Sequence, residues 1–146
     1  MFEAIALLLF IAGFVVGLGA VTVIDLHGFL GRTSPYWNEA TIRTHKITKP
    51  LIWLGIALAV LGGALTYWGQ PFTGIPLYHA VLAGMLVVNG IFLSFVISPE
   101  LLERERQGRA QELLPTRMQW KIAISLVVSD IGWWGGLLLL VVYLTM

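Results

Sequence analysis

The chain is 146 residues long, with a formal net charge of +1; it is 58% hydrophobic, only 12% charged, and contains no cysteine. A soluble domain is typically about 25% charged, so the composition excludes an ordinary soluble domain, and the absence of cysteine excludes disulfides and thiolate metal sites. The charges are also unevenly distributed, because residues 4–24 and 51–99 contain no Asp, Glu, Lys or Arg. We therefore expect a single integral membrane domain.

The first predicted membrane helix covers residues 3–31. Its apolar run is too long for a cleaved signal peptide, and its early charge is negative rather than positive. Gly13 and Gly17 lie four residues apart, a spacing that lets two membrane helices approach closely. Near the other end of this helix, Asp25 and His27 point about 200° apart. We therefore expect His27 to share the glycine face and Asp25 to face elsewhere.

A basic segment joins the first helix to the second. It begins at Ser34-Pro35, where serine is suited to cap a helix and proline to occupy its first position, and it ends at Pro50. We therefore expect a short interfacial helix between the two prolines, followed by a second membrane helix over residues 50–69. Glycines recur every seven residues in that second helix, which keeps them on one face of a left-handed bundle: Gly55, Gly62 and Gly69.

The third and fourth membrane helices are predicted over residues 76–98 and 117–145. A second Ser-Pro pair, Ser98-Pro99, again opens a basic segment, which predicts a second short interfacial helix before Pro115. The two hairpins are consistent with a tandem repeat; because Ser-Pro is a common helix opener, they are equally consistent with chance. The sequence thus predicts an all-α, four-helix transmembrane bundle with two short interfacial helices on the cytoplasmic side.

The positive charges indicate how the bundle is oriented. All nine lysines and arginines fall in or next to the two connecting segments, and four spans place both segments on one side of the membrane. The positive-inside rule then puts these segments in the cytoplasm and both termini outside. We therefore expect a multi-pass protein of the inner (cytoplasmic) membrane. The topology explains the basic patch, so nucleic acid is not needed as a partner.

Three polar residues fall at one predicted depth inside the membrane. Asp25 and Asn89 each lie ten residues before a Ser-Pro proline, and Asp130 lies nine residues past Lys121. The second helix contributes no polar residue to this layer. Because a carboxylate in the bilayer interior costs about 2.5–3.5 kcal/mol, the layer predicts a proton or cation site. The alternative is that Asp25 pairs with Arg43, Lys46 or Lys49, that Asp130 is protonated or hydrogen-bonded to a serine or tryptophan, and that Asn89 serves in helix packing.

Two histidines lie at the basic ends of neighbouring helices, His27 in the first and His45 just before the second. Histidine is a common axial ligand of haem, and helical bundles commonly hold cofactors in their interior. We therefore predict that His27 and His45 bind haem b or a metal. Trp53 would line the haem slot. Three cations would pair with the haem propionates: Arg43, Lys46 and Lys49. The alternative is that His45 is an interfacial polar residue and His27 a packing residue.

The short, all-helical bundle with a few histidines near its helix ends, His27, His45 and His79, resembles small four-helix membrane haem proteins and the membrane domain of copper-resistance D-type proteins. This resemblance covers the whole chain as architecture and implies electron transfer or haem handling. His79 itself lies beside Tyr78 near the outer end of the third helix, where an aromatic belt is expected. Three functions thus remain open: haem or metal binding, proton- or cation-coupled transport, and a structural subunit that forms a homo-oligomer or joins a membrane partner.

Overall fold

The computed structural model describes all 146 residues, from Met1 to Met146. The helices are α1 Phe2–Gly31, α2 Pro35–Thr66, α3 Ile75–Phe92, α4 Ser98–Arg106 and α5 Thr116–Thr145, with a π-helical turn, Leu93–Ile97, between α3 and α4. Because α3, the π turn and α4 continue as one helix, four helices are long and apolar enough to cross a membrane. This confirms the predicted all-α, four-helix bundle, and the apolar helices identify a multi-pass membrane protein.

The glycine faces pack the first two helices together. Gly13 of α1 lies against Ala59 of α2, and Gly55 lies against Gly17, so closely that a Cβ atom at any of these three glycines would overlap a neighbour. α1 and α2 consequently form the most extensive helix contact in the bundle. Gly69 is the exception to the predicted seven-residue face, because it has a positive φ of 79° and lies in the turn after α2.

The main hydrophobic core surrounds Trp133, in the middle of α5. Trp133 is fully buried, and its ring meets that of Phe14 edge-on with the centroids 6.0 Å apart. A smaller core packs beside the connecting segments that carry the lysines and arginines, and we call that end of the bundle the basic end. Its buried members are Ile42, Ile97, Leu101, Ala110 and Met118.

The second helix begins earlier than predicted. Its N-cap is Ser34, whose hydroxyl accepts a hydrogen bond from the backbone N–H of Trp37 at 3.5 Å, so the predicted capping role is confirmed. The helix then continues through Pro50 instead of starting there. Pro50 removes one backbone donor, but α2 remains continuous as it packs along α1. With 32 residues, α2 is about 48 Å long, which exceeds the hydrocarbon core of about 30 Å.

The second Ser-Pro pair has a different structural role from the first. Ser98 is buried inside the continuous helix Ile75–Arg106 and does not cap it, so the two connecting segments fold differently. The residues after this pair are helical as far as Arg106, as predicted, but α4 continues α3 through the π turn and is not a separate short helix. The loop that follows is held by Asn38, whose side-chain amide donates to the carbonyl oxygens of Ala110 and Glu112 at 2.8 and 2.9 Å.

Candidate functional site

A polar cavity of about 90 Å³ lies in the basic half of the bundle. All four membrane-spanning helices contribute to its wall, and its apolar lining includes Ile52, Leu86 and Trp133. Eight side chains with polar or charged groups also line it: Asp25, Thr41, His45, Lys49, Asn89, Ser94, Ser125 and Ser129. The hydrocarbon core of a membrane offers no hydrogen-bond partners, so polar side chains there are costly and usually functional. Their concentration around one space makes the polar cavity a candidate functional site.

Asp25 of α1 is the acidic group of this cavity. Its Oδ2 atom is buried and has no hydrogen-bond partner, and Asp25 forms no ion pair. Two of the flanking cations are paired elsewhere, Arg43 with Glu39 at 2.5 Å and Lys46 with Glu105 at 2.6 Å. Lys49, the third flanking cation, forms no ion pair with Asp25 and donates to Ser98 Oγ instead, so the alternative that Asp25 pairs with Arg43, Lys46 or Lys49 is wrong. A buried carboxylate oxygen without a partner needs a proton, a cation or water.

α2 contributes two basic side chains to the same cavity, His45 and, one turn later, Lys49. The Nε2 atom of His45 is buried and has no hydrogen-bond partner, whereas the Lys49 ammonium group donates to Ser98 Oγ at 3.4 Å. The prediction that the second helix offers nothing polar here is therefore wrong, because it depends on a helix start at Pro50. In a helix that starts at Pro35, the i,i+4 spacing of His45 and Lys49 places both on one face, and this spacing is the signal that could have found them.

Asn89 and Ser125 join α3 to α5 at the cavity wall. The Asn89 amide donates to the Ser125 carbonyl oxygen at 3.0 Å, and the Ser125 hydroxyl donates back to Asn89 Oδ1 at 2.6 Å. Asn89 therefore serves in helix packing and also lines the cavity. On the same wall, the Trp53 indole N–H donates to Ser94 Oγ at 3.1 Å. Ser94 lies in the π turn, a distortion that is frequent at functional sites.

The predicted polar layer is partly assembled. Asp25 and Asn89 line the same cavity, in agreement with their equal predicted depth. Asp130 of α5 is half-buried but does not line the cavity, although its neighbour Ser129 does. The structure therefore brings two of the three residues together and leaves the third beside them.

The two histidines predicted to bind haem have different surroundings. His27 Nδ1 lies 3.2 Å from Thr44 Oγ1, and the ring centroids of His27 and Trp37 are 5.2 Å apart. His27 therefore packs against α2, as its place on the glycine face predicts. His45 lines the polar cavity, and His27 does not. No group of three or more His, Cys, Asp or Glu side chains is arranged to hold a metal, and haem b or metal binding by this pair stays a prediction.

His79 is buried inside the bundle, with only 8% of its surface exposed. Its place in an aromatic belt stays a prediction. Its Nε2–H donates to the Gly136 carbonyl oxygen at 2.8 Å, which leaves Nδ1 to accept a hydrogen bond from the Tyr67 hydroxyl at 2.8 Å. Sequence position shows that His79 is near a helix end, but it does not show that Phe10 of α1 covers it, with ring centroids 5.1 Å apart.

No protein-family model matches this chain, and no curated protein or solved structure is detectably similar to it. The resemblance to membrane haem proteins and copper-resistance D-type domains therefore rests only on the four-helix architecture and the histidines near its helix ends. Association with further copies or with a partner subunit likewise stays a prediction. The fold defines the class, a four-helix integral membrane protein, and the polar cavity is its candidate site.

Proposed function

We propose that this protein moves protons, or a small monovalent cation, across the membrane, and that the polar cavity is the binding site. The observation that carries the proposal is the pair of buried atoms without partners, Asp25 Oδ2 and His45 Nε2, which belong to different helices and to residues lining one cavity. A carboxylate and an imidazole that share a cavity can exchange a proton through water molecules between them. Both groups are typical of proton relays inside membranes.

The size of the polar cavity supports a small substrate. Sites for small molecules and cofactors usually measure about 300–1,000 Å³, whereas this cavity measures about 90 Å³. A single buried water needs only about 10–15 Å³ of such space, so the cavity can hold water beside a small ion. A proton, or a cation that has shed most of its water shell, fits this volume.

The charges around the cavity favour a proton or a monovalent cation over a divalent ion. Asp25 is the only carboxylate that lines the cavity, and the ammonium group of Lys49 adds positive charge. A divalent ion such as Ca²⁺ takes about six to eight oxygen ligands, commonly including several carboxylates. Proton transfer needs no such ligand set, because one acid and one base are sufficient.

We further propose that the protein lies in the inner (cytoplasmic) membrane with its basic end facing the cytoplasm and both termini outside. All nine lysines and arginines lie at or near that end, as the positive-inside rule requires of a cytoplasmic face. The polar cavity lies in the same half of the bundle, so it would form the cytoplasmic part of the pathway, and a proton would reach Asp25 and His45 from that side.

Flux into reconstituted vesicles tests the proposal and identifies the ion. A pH-sensitive dye inside proteoliposomes should report proton entry when a potassium diffusion potential, set with valinomycin, makes the lumen negative. Parallel measurements without valinomycin, each with a gradient of sodium or potassium and a dye sensitive to that ion inside the vesicles, separate proton movement from cation movement. If the protein moves none of the three ions faster than empty vesicles do, the proposal is wrong.

A further inference from the structure

Lys49 carries the one permanent positive charge in the wall of the polar cavity. A lysine near the edge of a membrane usually extends its ammonium group toward water. Lys49 is half-buried and instead donates to Ser98 Oγ at 3.4 Å, although Ser98 is only 1% exposed. It forms no ion pair. The cavity therefore holds a positive charge that no carboxylate in contact neutralises.

The packing of α1 on α2 shows how close this charge is to Asp25. The two helices run antiparallel, and Gly17 of α1 meets Gly55 of α2. Asp25 lies eight residues after Gly17, so it is level with the point eight residues before Gly55, midway between His45 and Lys49. Each of these two residues is thus about 3 Å from that level along the helix axis. An ion held at Asp25 therefore lies in the field of the Lys49 ammonium group.

A positive charge at this place distinguishes a proton from a metal cation. A proton forms an O–H bond with the Asp25 carboxylate and needs no other ligand. A sodium or potassium ion is held by electrostatic attraction, which a nearby ammonium group reduces strongly where little water screens the charges. Fixed positive charges commonly exclude free cations from membrane pores, whereas a proton can move by transfer from one group to the next.

The rest of the cavity wall would suit a metal cation if Lys49 were uncharged. Hard cations take oxygen ligands, both from carboxylates and from neutral groups. Besides Asp25, five residues with neutral side-chain oxygens line the cavity: Thr41, Asn89, Ser94, Ser125 and Ser129. The chain thus supplies oxygen ligands for a sodium ion together with the charge that opposes its binding.

We propose that Lys49 determines the ion specificity of the polar cavity: its ammonium group excludes sodium and potassium, so the ion that binds at Asp25 is a proton. This inference rests on the proposed function, because it narrows the transported ion from a proton or a monovalent cation to the proton. The exclusion of metal cations can also be measured as binding, in an experiment that needs no transport.

Lys49→Gln tests the proposal in proteoliposomes, because it removes the positive charge and adds a neutral oxygen. We expect the wild type to move protons but neither sodium nor potassium, and Lys49→Gln to move sodium about tenfold faster than the wild type, since one nearby charge has been removed. Lys49→Arg keeps the charge and should stay selective for protons. Lys121→Gln makes the same charge change at an exposed residue outside the cavity lining and should behave like the wild type.

Thermal unfolding in detergent measures the binding of sodium without transport. Sodium chloride should raise the melting temperature of Lys49→Gln above its value in choline chloride at the same concentration, because a bound ion stabilises the folded state. The two salts should give equal melting temperatures for the wild type and for the double variant of Lys49→Gln and Asp25→Asn. If size-exclusion chromatography shows that Lys49→Gln does not fold, Lys49→Met, which is also uncharged, replaces it.

The two measurements separate the role of Lys49 from ion transport itself. If sodium neither stabilises Lys49→Gln nor enters its vesicles, the role of Lys49 is wrong, even where the wild type moves protons. Wild-type protein that moves sodium or potassium as readily as protons would also overturn that role. If the wild type moves no ion but sodium stabilises Lys49→Gln and not the double variant, the proposed function is wrong and the exclusion of metal cations by Lys49 is supported.

Discussion

The indole ring of Trp133 lies directly on the backbone of Gly17. A Cβ atom at Gly17 would overlap three atoms of that ring, so the close approach of α1 and α5 requires glycine at this position. Trp133 lines the polar cavity and also the mainly hydrophobic cavity in the other half of the bundle, so its ring forms part of the wall between them. Because Gly17 has no side chain, it leaves the room that this ring needs, and the separation of the two cavities depends on it.

Gly17→Ala should destabilise the bundle by about 1–3 kcal/mol, the usual cost of overpacking, because the new methyl group must displace Trp133. The matched control is Gly19→Ala, since apart from the adjacent backbone of α1 itself nothing lies within 4 Å of a Cβ built there, and alanine favours a helix more than glycine does. Thermal unfolding in detergent, followed by circular dichroism, compares the two. Equal melting temperatures would show that the Gly17 contact is not required.

Asn38 should control protease access to the loop after α4. Asn38 is 2% exposed and donates to two carbonyl oxygens of that loop, and leaving a buried acceptor unpaired costs about 1–3 kcal/mol. Asn38→Ala should therefore speed trypsin cleavage after Arg109, an exposed residue of the loop. Gln111→Ala removes only an exposed hydrogen bond to Glu39 and should have little effect. Cleavage at the wild-type rate in Asn38→Ala would mean that other contacts hold the loop.

Asn89 and Ser125 should be energetically coupled, because the Ser125 hydroxyl donates to Asn89 Oδ1 at 2.6 Å between α3 and α5. A double-mutant cycle of Asn89→Ala and Ser125→Ala isolates that hydrogen bond. Polar contacts between membrane helices contribute about 0.6 kcal/mol on average and about 1.7 kcal/mol at most, and we expect a coupling free energy within this range. Strictly additive effects on the free energy of unfolding would contradict the contact.

The visible absorption spectrum decides the prediction of haem b. Protein purified after expression with added haem would show a Soret band if His27 and His45 were axial ligands, and His27→Ala would then abolish it. Because His27 packs on Thr44 and Trp37 while His45 lines the polar cavity, we expect no Soret band that depends on both histidines. A band lost in both His27→Ala and His45→Ala would establish the pair as ligands and contradict the separate surroundings described above.

Most of the fold follows from local patterns in the sequence. Uncharged runs determine the number of membrane helices, and the spacing of Gly13 and Gly17 predicts the face of α1 that meets α2. Gly69 shows the limit of such patterns, because it continues the seven-residue spacing of Gly55 but lies in a turn. Spacing alone does not show where a helix stops.

The candidate site was harder to predict because it depends on how helices extend and rotate relative to one another. Asp25 and Asn89 are matched in depth by simple counting, but His45 enters the same cavity only because α2 continues through Pro50. A proline by itself predicts that the helix breaks at position 50. The continuation depends on tertiary packing, which the local sequence does not show. The π turn that carries Ser94 has no recognisable signal in the sequence.

Proton flux in Asp25→Asn proteoliposomes tests the central claim most directly. The amide keeps the shape of the side chain but cannot exchange a proton, so flux should fall to the level of empty vesicles. Glu103→Gln makes the same acid-to-amide change at an exposed ion pair with Arg106, and flux should stay at the wild-type level. Asp130→Asn, which changes the carboxylate beside the cavity, distinguishes the role of Asp130 from that of Asp25. Wild-type flux in Asp25→Asn, or flux lost only in Asp130→Asn, would contradict the assignment of the polar cavity as the ion-binding site.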